Sequence, residues 1–399
     1  MLIKLAIESL KYRKGSVVLT CVAMMISVFV LLGVEHTRKQ AKDSFASTVS
    51  GVDLIIGARS GSLNLLLYSV FRIGSPVNNI SWESYQKFKA KDEVAWTIPI
   101  SLGDSHLGYR VLGSTEAYFD HYQYGRKQRL VFESGSPFTS TYDVVLGAAV
   151  ADKLDYKIGD SLVLSHGIAA TSFEQHTDSP FVVKGILSPT GTPVDQTLHV
   201  KLEGIEAIHQ PPNGKKDDLQ PSSITAFIVG LKSRMDTFRL QREVNEFQPE
   251  ALSAILPGVA LTELWSTMSM LEGILRLISA LVFIAALLGM IAMMAASLRE
   301  RSKEIQLLRI IGATATSLFL LVQLEAVLIS VLSILGGAGL LALILLVSRE
   351  TISTTFGVHL DINIVNENTG LIALAILITT LVVAAFPAFL AYRQGKTQI

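Results

Sequence analysis

Four uncharged apolar runs, each about as long as a helix needs to cross a bilayer, constrain this 399-residue chain more than any other feature. They are Ser16 to Val34, Leu277 to Leu298, Ala326 to Ser348 and Thr369 to Tyr392. About 20 mostly apolar residues in a helix cover the roughly 30 Å of bilayer hydrocarbon, so all four read as membrane spans. Composition agrees: half the residues are hydrophobic and 17% are charged, against about 25% charged in soluble domains. The first run is longer than the apolar core of a cleaved signal, and no small-x-small site follows before His36, so it is expected to be retained.

Basic residues orient the spans, because cytoplasmic loops carry the excess of Lys and Arg. Lys4, Lys11, Arg13 and Lys14 precede the first span; Arg299, Arg301, Lys303 and Arg309 lie between the second and third; Arg393 and Lys396 follow the fourth. The stretch 349–368 has Arg349 against Glu350, Asp361 and Glu367. Both termini and the 299–312 loop are therefore expected inside, and the large segment after the first span outside. The organisation reads as an N-terminal amphipathic helix and first span (1–34), an outer domain (35–270), a second span (271–298), a cytoplasmic segment (299–313), a third span (314–348), a short outer loop (349–368), a fourth span (369–392) and a tail (393–399). Ala285 with Gly289, and Ala292 with Ala296, put small residues at four-residue spacing on the second span, and Gly336, Gly337 and Gly339 sit in the third. Packing inside the bundle and a seam with a second copy both remain open. Pro387 is expected to kink the fourth span. The lone cysteine, Cys21, excludes a disulfide within the chain. Lys plus Arg balance Asp plus Glu at 34 each, so no net charge points to nucleic acid.

The outer segment alternates strand and helix patterns, giving an α+β extracytoplasmic domain beside an α-helical four-span transmembrane domain. Strands are expected at Val52 to Ile56, Val94 to Ile100, Tyr109 to Gly113, Ser223 to Leu231 and Ala254 to Leu261. Helices are expected at Trp82 to Lys91, capped by Ser81, and at Arg234 to Phe247. The middle, about 117–220, is richer in short strand patterns: Tyr142 to Leu146, Ser161 to Leu164, Phe181 to Leu187 and Thr197 to Leu202. No catalytic motif and no calcium loop appears. His166, His176, His199 and His209 fall in this region, but their spacing matches no compact ligand motif, so solvated surface histidines and no metal site are expected. No Walker A sequence G-x-x-x-x-G-K-[ST] occurs, so no cofactor is expected in this chain, and any ATP would be bound by a partner subunit.

Residues 299–312 read RERSKEIQLLRIIG directly after the second span. Ile305, Leu308 and Ile311 or Gly312 share a helical face, flanked by Arg301, Glu304 and Arg309, and Gly312 permits a turn back into the membrane. Either a solvated charged hairpin or a helix that docks on a cytoplasmic partner would fit. Here the chain resembles a known family: Arg299, Glu300, Arg301, Glu304, Ile305, Leu308, Arg309, Gly312 and Ala313, then Glu325 and Ala326, are similar to FtsX-like permeases, the membrane subunits of type VII ABC transporters such as MacB and LolC/LolE. Val144 to Gly147, then Ala151, Leu154, Gly159, Asp160 and Phe181 to Ile186, resemble the periplasmic core domain of that family.

The resemblance implies a porter-like βαβ unit with a β-rich insertion, a dimer of permease copies or paralogues in the bacterial inner membrane, and a separate ABC ATPase. It also implies that Arg299, Arg301, Glu304, Ile305, Leu308, Arg309 and Gly312 couple to that ATPase, so that its motion reaches the outer domain and moves a lipoprotein, peptide, lipid or drug. A periplasmic lipoprotein or membrane-fusion protein is a further partner of this kind. Two other readings stay open: an FtsX-like regulator of cell-wall hydrolases, whose outer domain is typically smaller, and a component of a metal-acquisition system. Outside the family, a ligand sensor lacks a cytoplasmic domain to receive its signal here, and an outer enzyme lacks its catalytic set. The segment 53–74, DLIIGARSGSLNLLLYSVFRIG, departs from the better-known members. Glu325, an acid inside the third span, must face a helix interface or water; hydrogen bonding across the bundle with Gln323 or Thr316 as expected partners and a direct part in coupling are both open.

Overall fold

The computed structural model describes residues 2–48, 50–167, 179–209, 219–301, 306–307, 310–356, 364 and 367–396. In chain order the helices are α1 (Leu2–Tyr12), α2 (Lys14–Thr48), α3 (Ser62–Leu66), α4 (Trp82–Lys89), α5 (Ala117–His121), α6 (Ala148–Leu154), α7 (Leu202–His209), α8 (Thr237–Asn245), α9 (Pro257–Glu300), α10 (Ala315–Phe356) and α11 (Glu367–Lys396). Two compact units form, one from Met1–Gln40, Ser269–Ser348 and Asp361–Ile399, the other from Ala41–Met268 with Arg349–Leu360.

The first unit holds four helices long and apolar enough to cross a membrane, α2, α9, α10 and α11. They are longer than the apolar runs. At 1.5 Å per residue, the 44 residues of α9 extend roughly 66 Å, twice the hydrocarbon thickness. Met24, Ala286, Met290, Val322, Ala326, Ile329, Ala384 and Ala388 form the interior of this unit, while Leu277, Leu281, Leu288, Leu335, Val382 and Phe386 point outward, as lipid-facing side chains do. The glycines of α10 are packing devices. A side chain on Gly337 would meet the Met25 carbonyl at 2.9 Å and Val28 at 3.0 Å, so α2 and α10 approach closely there. The small face of α9 behaves differently, since nothing lies within 4 Å of a side chain placed on Gly289.

The second unit is built on one sheet with strands β1 (Leu54–Ala58), β2 (Val94–His106), β3 (Tyr109–Ser114), β4 (Phe132–Gly135), β5 (Asp143–Leu146), β6 (Ser161–Leu162), β7 (Ser165–His166), β8 (Phe181–Leu187), β9 (Thr197–Lys201), β10 (Ala226–Leu231) and β11 (Leu252–Ile255). Their order is β11-β1-β10-β2-β3-β9-β5-β8-β4, with β7 on β2 and β6 on β8. The long strand β2 pairs with β10 and with β3, so the middle region continues the same sheet. All five residues of β1 are buried, as a strand covered on both faces requires. Ser81 caps α4 by accepting the Ser84 N–H, a contact that contributes about 1 kcal/mol. Several expected elements change, and β2, expected to end at Ile100, runs on to His106. The strand expected to run from Ala254 to Leu261 ends at Ile255, because Pro257 has no N–H for the ladder and a φ suited to the first helical turn. The helix expected from Arg234 begins as a 3-10 turn, Arg234–Asp236, before α8.

Much of the unusual segment 53–74 is core. After α3 it makes a π-helical turn, Leu67–Phe71, capped by Arg72 in the left-handed region at φ 60°. Leu65, Leu66, Tyr68, Val70 and Phe71 pack with Tyr118, Tyr122 and Phe138. The Arg72 guanidinium is buried there as well.

Candidate functional site

Glu325 is buried on α10 and accepts from two guanidinium groups: Arg13 Nη2 at 2.9 Å and Arg301 Nη1 at 3.1 Å. The Ser9 hydroxyl also donates to it. Arg13 sits at the elbow between α1 and α2, where it reaches Ser9 Oγ at 3.2 Å and donates to the Ser297 hydroxyl of α9. One carboxylate thus gathers α1, the α1–α2 elbow, the end of α9 and α10. The physical reason is the cost of an unpaired charge in an apolar bundle: isolated, Glu325 would be expensive, and paired it fixes the helices around it.

The partners differ from the expected ones. Gln323 instead donates to the Leu381 carbonyl of α11 at 3.2 Å, and Thr316 pairs with Thr314 at 3.2 Å. Arg301, expected on a docking face, turns inward. Arg299 is exposed, and Gly312 has φ 103°, a conformation that a glycine adopts without strain and that turns the chain into α10. Glu304, Ile305, Leu308 and Arg309 lie outside the described residues. Of their neighbours, Leu307, Ile310 and Ile311 are largely exposed, at 58%, 82% and 76%. Sequence reasoning missed Ser9, Arg13 and Ser297. The available signal was an intramembrane acid that needed a cation, and a basic residue one turn from the start of a span.

Beside this cluster, α2 and α9 border a groove of about 420 Å³ lined by Arg13, Thr20, Ala285, Gly289, Ala296 and Ser297. The small residues of the second span therefore face open space in the single chain.

In the outer unit the histidines are not uniformly solvated. His199 is fully buried. Burial, with Arg72 adding to it, pushes its imidazole down to about 3, so it is neutral. Burial also lowers His106, whose ring meets the Val163 carbonyl at 2.7 Å and Tyr156 Oη at 2.9 Å. His166 and His209 converge on the buried Asp104, and the carboxylate beside His209 raises it above the ordinary imidazole range. His176 lies outside the described residues. Burial pushes the Tyr118 phenol, in the core with Arg72 near it, up to about 12.

Two family models match the chain: the MacB-like periplasmic core domain over residues 17–247 and the FtsX-like permease C-terminal domain over residues 276–397. Among solved structures the chain is similar to the periplasmic region of MacB from Actinobacillus actinomycetemcomitans, at 13% identity over 54% of this chain and 94% of that one, with a TM-score of 0.36. It is also similar to the extracellular domain of the noncanonical ABC-type transporter YknZ from Gram-positive bacteria, at 13% identity over 51% of this chain and 98% of that one, with a TM-score of 0.32. No curated protein matches. With the two family models matching both the outer and the membrane-spanning parts, the chain belongs to the MacB/FtsX family of multi-pass ABC transporter permeases, with a MacB-like periplasmic core domain and an FtsX-like permease domain.

Proposed function

We propose that this permease transmits the motion of a separate ATP-hydrolysing subunit to its outer domain, which moves a lipoprotein, peptide, lipid or drug at the outer face. The observation that carries this reading is the segment between α9 and α10. Leu307, Ile310 and Ile311 are exposed beside charged residues, while Arg301 at its start is paired with Glu325 inside the bundle. An apolar surface of this kind suits a protein partner. A push on it would reach α9 and α10, which the Arg301–Glu325 pair ties together.

The termini and this segment then face the cytoplasm, as the basic residues around them favour, and the membrane is the bacterial inner membrane. ATP belongs to the partner, and the permease itself is non-catalytic. The exposed small face of α9, Ala285, Gly289 and Ala296, suits a seam with a second permease copy or paralogue. A periplasmic lipoprotein or membrane-fusion protein is a fitting outer partner.

The test is affinity purification of the chain from its native membrane, comparing wild type with Leu307→Glu and Ile310→Glu. Both side chains are exposed, so the bundle should fold normally. We expect an ATPase to copurify with wild type and to be lost from the variants, with no nucleotide turnover by the chain alone. ATP hydrolysis by the isolated chain, or full retention of the partner by both variants, contradicts the reading.

A further inference from the structure

Asp104, His166 and His209 are far apart in sequence and meet at one point of the outer unit. Asp104 lies on β2 where the pairing with β3 slips: Leu102 faces Leu112 and Ser105 faces Arg110, so Gly103 and Asp104 occupy a bulge. A bulge re-aims side chains that regular alternation would place elsewhere. On the other edge of β2, β7 sets His166 directly across from Asp104. His209 is the last residue of α7.

Three atoms converge there. His166 Nδ1 is 3.1 Å from Asp104 Oδ1, His209 Nε2 is 3.6 Å from the same oxygen, and the two nitrogens are 3.4 Å apart. Zinc bonds of about 2.0–2.1 Å at tetrahedral angles set donor atoms about 3.3–3.4 Å apart. The triangle therefore has the size of one face of a zinc coordination tetrahedron.

The hydrogen-bonding pattern points the same way. His209 Nδ1 is 2.7 Å from the Ile205 carbonyl, which can only accept, so Nδ1 carries the proton. In the neutral ring this leaves the Nε2 lone pair facing Asp104 and His166. Donating the second ring N–H to a backbone carbonyl is what metal-bound histidines characteristically do, because it fixes the tautomer and the ring. Asp104 is 4% exposed, and the polar groups that face its Oδ1 are the two imidazoles. A buried carboxylate oxygen in that state calls for a cation. The imidazoles are 41% and 33% exposed, so an ion has an entry path and a fourth position open to solvent or to an incoming ligand.

We propose that Asp104, His166 and His209 form a binding site for one divalent transition-metal ion of the zinc class on the outer domain. Two imidazoles and one carboxylate suit such ions; Ca²⁺ and Mg²⁺ require more oxygen ligands than this site offers. The bound ion would join the end of α7 to the β2–β7 edge. This assignment is independent of the transport reading.

The test uses the full chain in detergent, purified through a tag without histidines and stripped with EDTA. Zn²⁺ uptake is measured by equilibrium dialysis with metal analysis, and Co²⁺ is added as a spectroscopic stand-in. Wild type is expected to take up one equivalent of Zn²⁺, to show the visible bands of four-coordinate Co²⁺ and to unfold at higher temperature when Zn²⁺ is present. His166→Gln, at an exposed position, and the near-isosteric Asp104→Asn should each weaken binding more than about 10-fold, while His121→Gln in the same domain should bind as wild type does. Absence of stoichiometric uptake by wild type, or equal binding by His166→Gln and Asp104→Asn, overturns the assignment.

Discussion

At the scale of single residues, two buried charge problems have been solved in different ways. His199 is kept neutral by burial and by Arg72, with its imidazole pushed down to about 3. Below its unfolded value of about 6.5, the unfolded chain binds a proton that the folded domain refuses, so stability is complete above that pH and is lost as pH falls toward the folded value. From pH 6.5 to pH 5 this one group should remove about 2 kcal/mol. Denaturant unfolding followed by tryptophan fluorescence should show that loss, and His199→Leu should shrink it while His106, lowered in the same direction, leaves a remainder. Glu325 is instead paired with two guanidinium groups. Glu325→Gln leaves two part-buried guanidinium groups with reduced compensation and should destabilise the membrane unit by up to about 3 kcal/mol. Arg301→Glu, which on an exposed hairpin would be nearly neutral, should instead lower the folded yield, because it sets a second carboxylate against Glu325. Thermal unfolding of the single and double variants in detergent would show coupling between positions 301 and 325; additive effects would contradict the pairing. The sequence made Glu325 legible as an acid needing a partner, but its partners Arg13 and Ser9 stand 312 and 316 positions away. Only the fold brings them together, and the same holds for Asp104 with its two histidines.

Elements were the most legible scale, and for a clear reason. Apolar length is a local property, so the four spans could be read directly, as could the alternation that makes Phe181–Leu187 a strand with its expected bounds. Helix ends were less legible. α2 and α9 continue past the apolar runs to Thr48 and back to Pro257, because a polar helix leaves no hydropathy signal. Sheet order was not legible at all, since β9 and β8 find their parallel partners β3 and β5 through long connections. Small residues in the spans show why spacing alone leaves two readings open. Gly337 packs on α2, and Gly337→Leu would drive a side chain into the Met25 backbone and Val28, with an overpacking cost of about 1–3 kcal/mol. Gly289 faces open space; Gly289→Leu should leave the single chain as stable as before, or slightly more stable through helix propensity. It should, however, weaken association between copies. Cross-linking and mass measurement in detergent separate the two outcomes, and a Gly289→Leu chain that pairs normally would move the seam elsewhere.

At the scale of the whole molecule, composition indicated a chain divided between lipid and water, and the resemblance across both parts indicated what such a division is for. The permease family is established by the matches to the MacB-like and FtsX-like models. The central claim is that ATP used by a partner on one side of the membrane moves the outer domain on the other. Spin labels test it most directly. Asp152 is exposed on α6 of the outer unit, and with Cys21, the chain's lone cysteine, replaced by Ser, an Asp152→Cys chain carries one label per copy. The distance between labels in the ATPase-bound dimer is then measured by double electron–electron resonance, with and without a non-hydrolysable ATP analogue. The account predicts a distance distribution that shifts when the analogue binds and returns when it is removed. An unchanged distribution, with nucleotide bound and the copies paired, would contradict it.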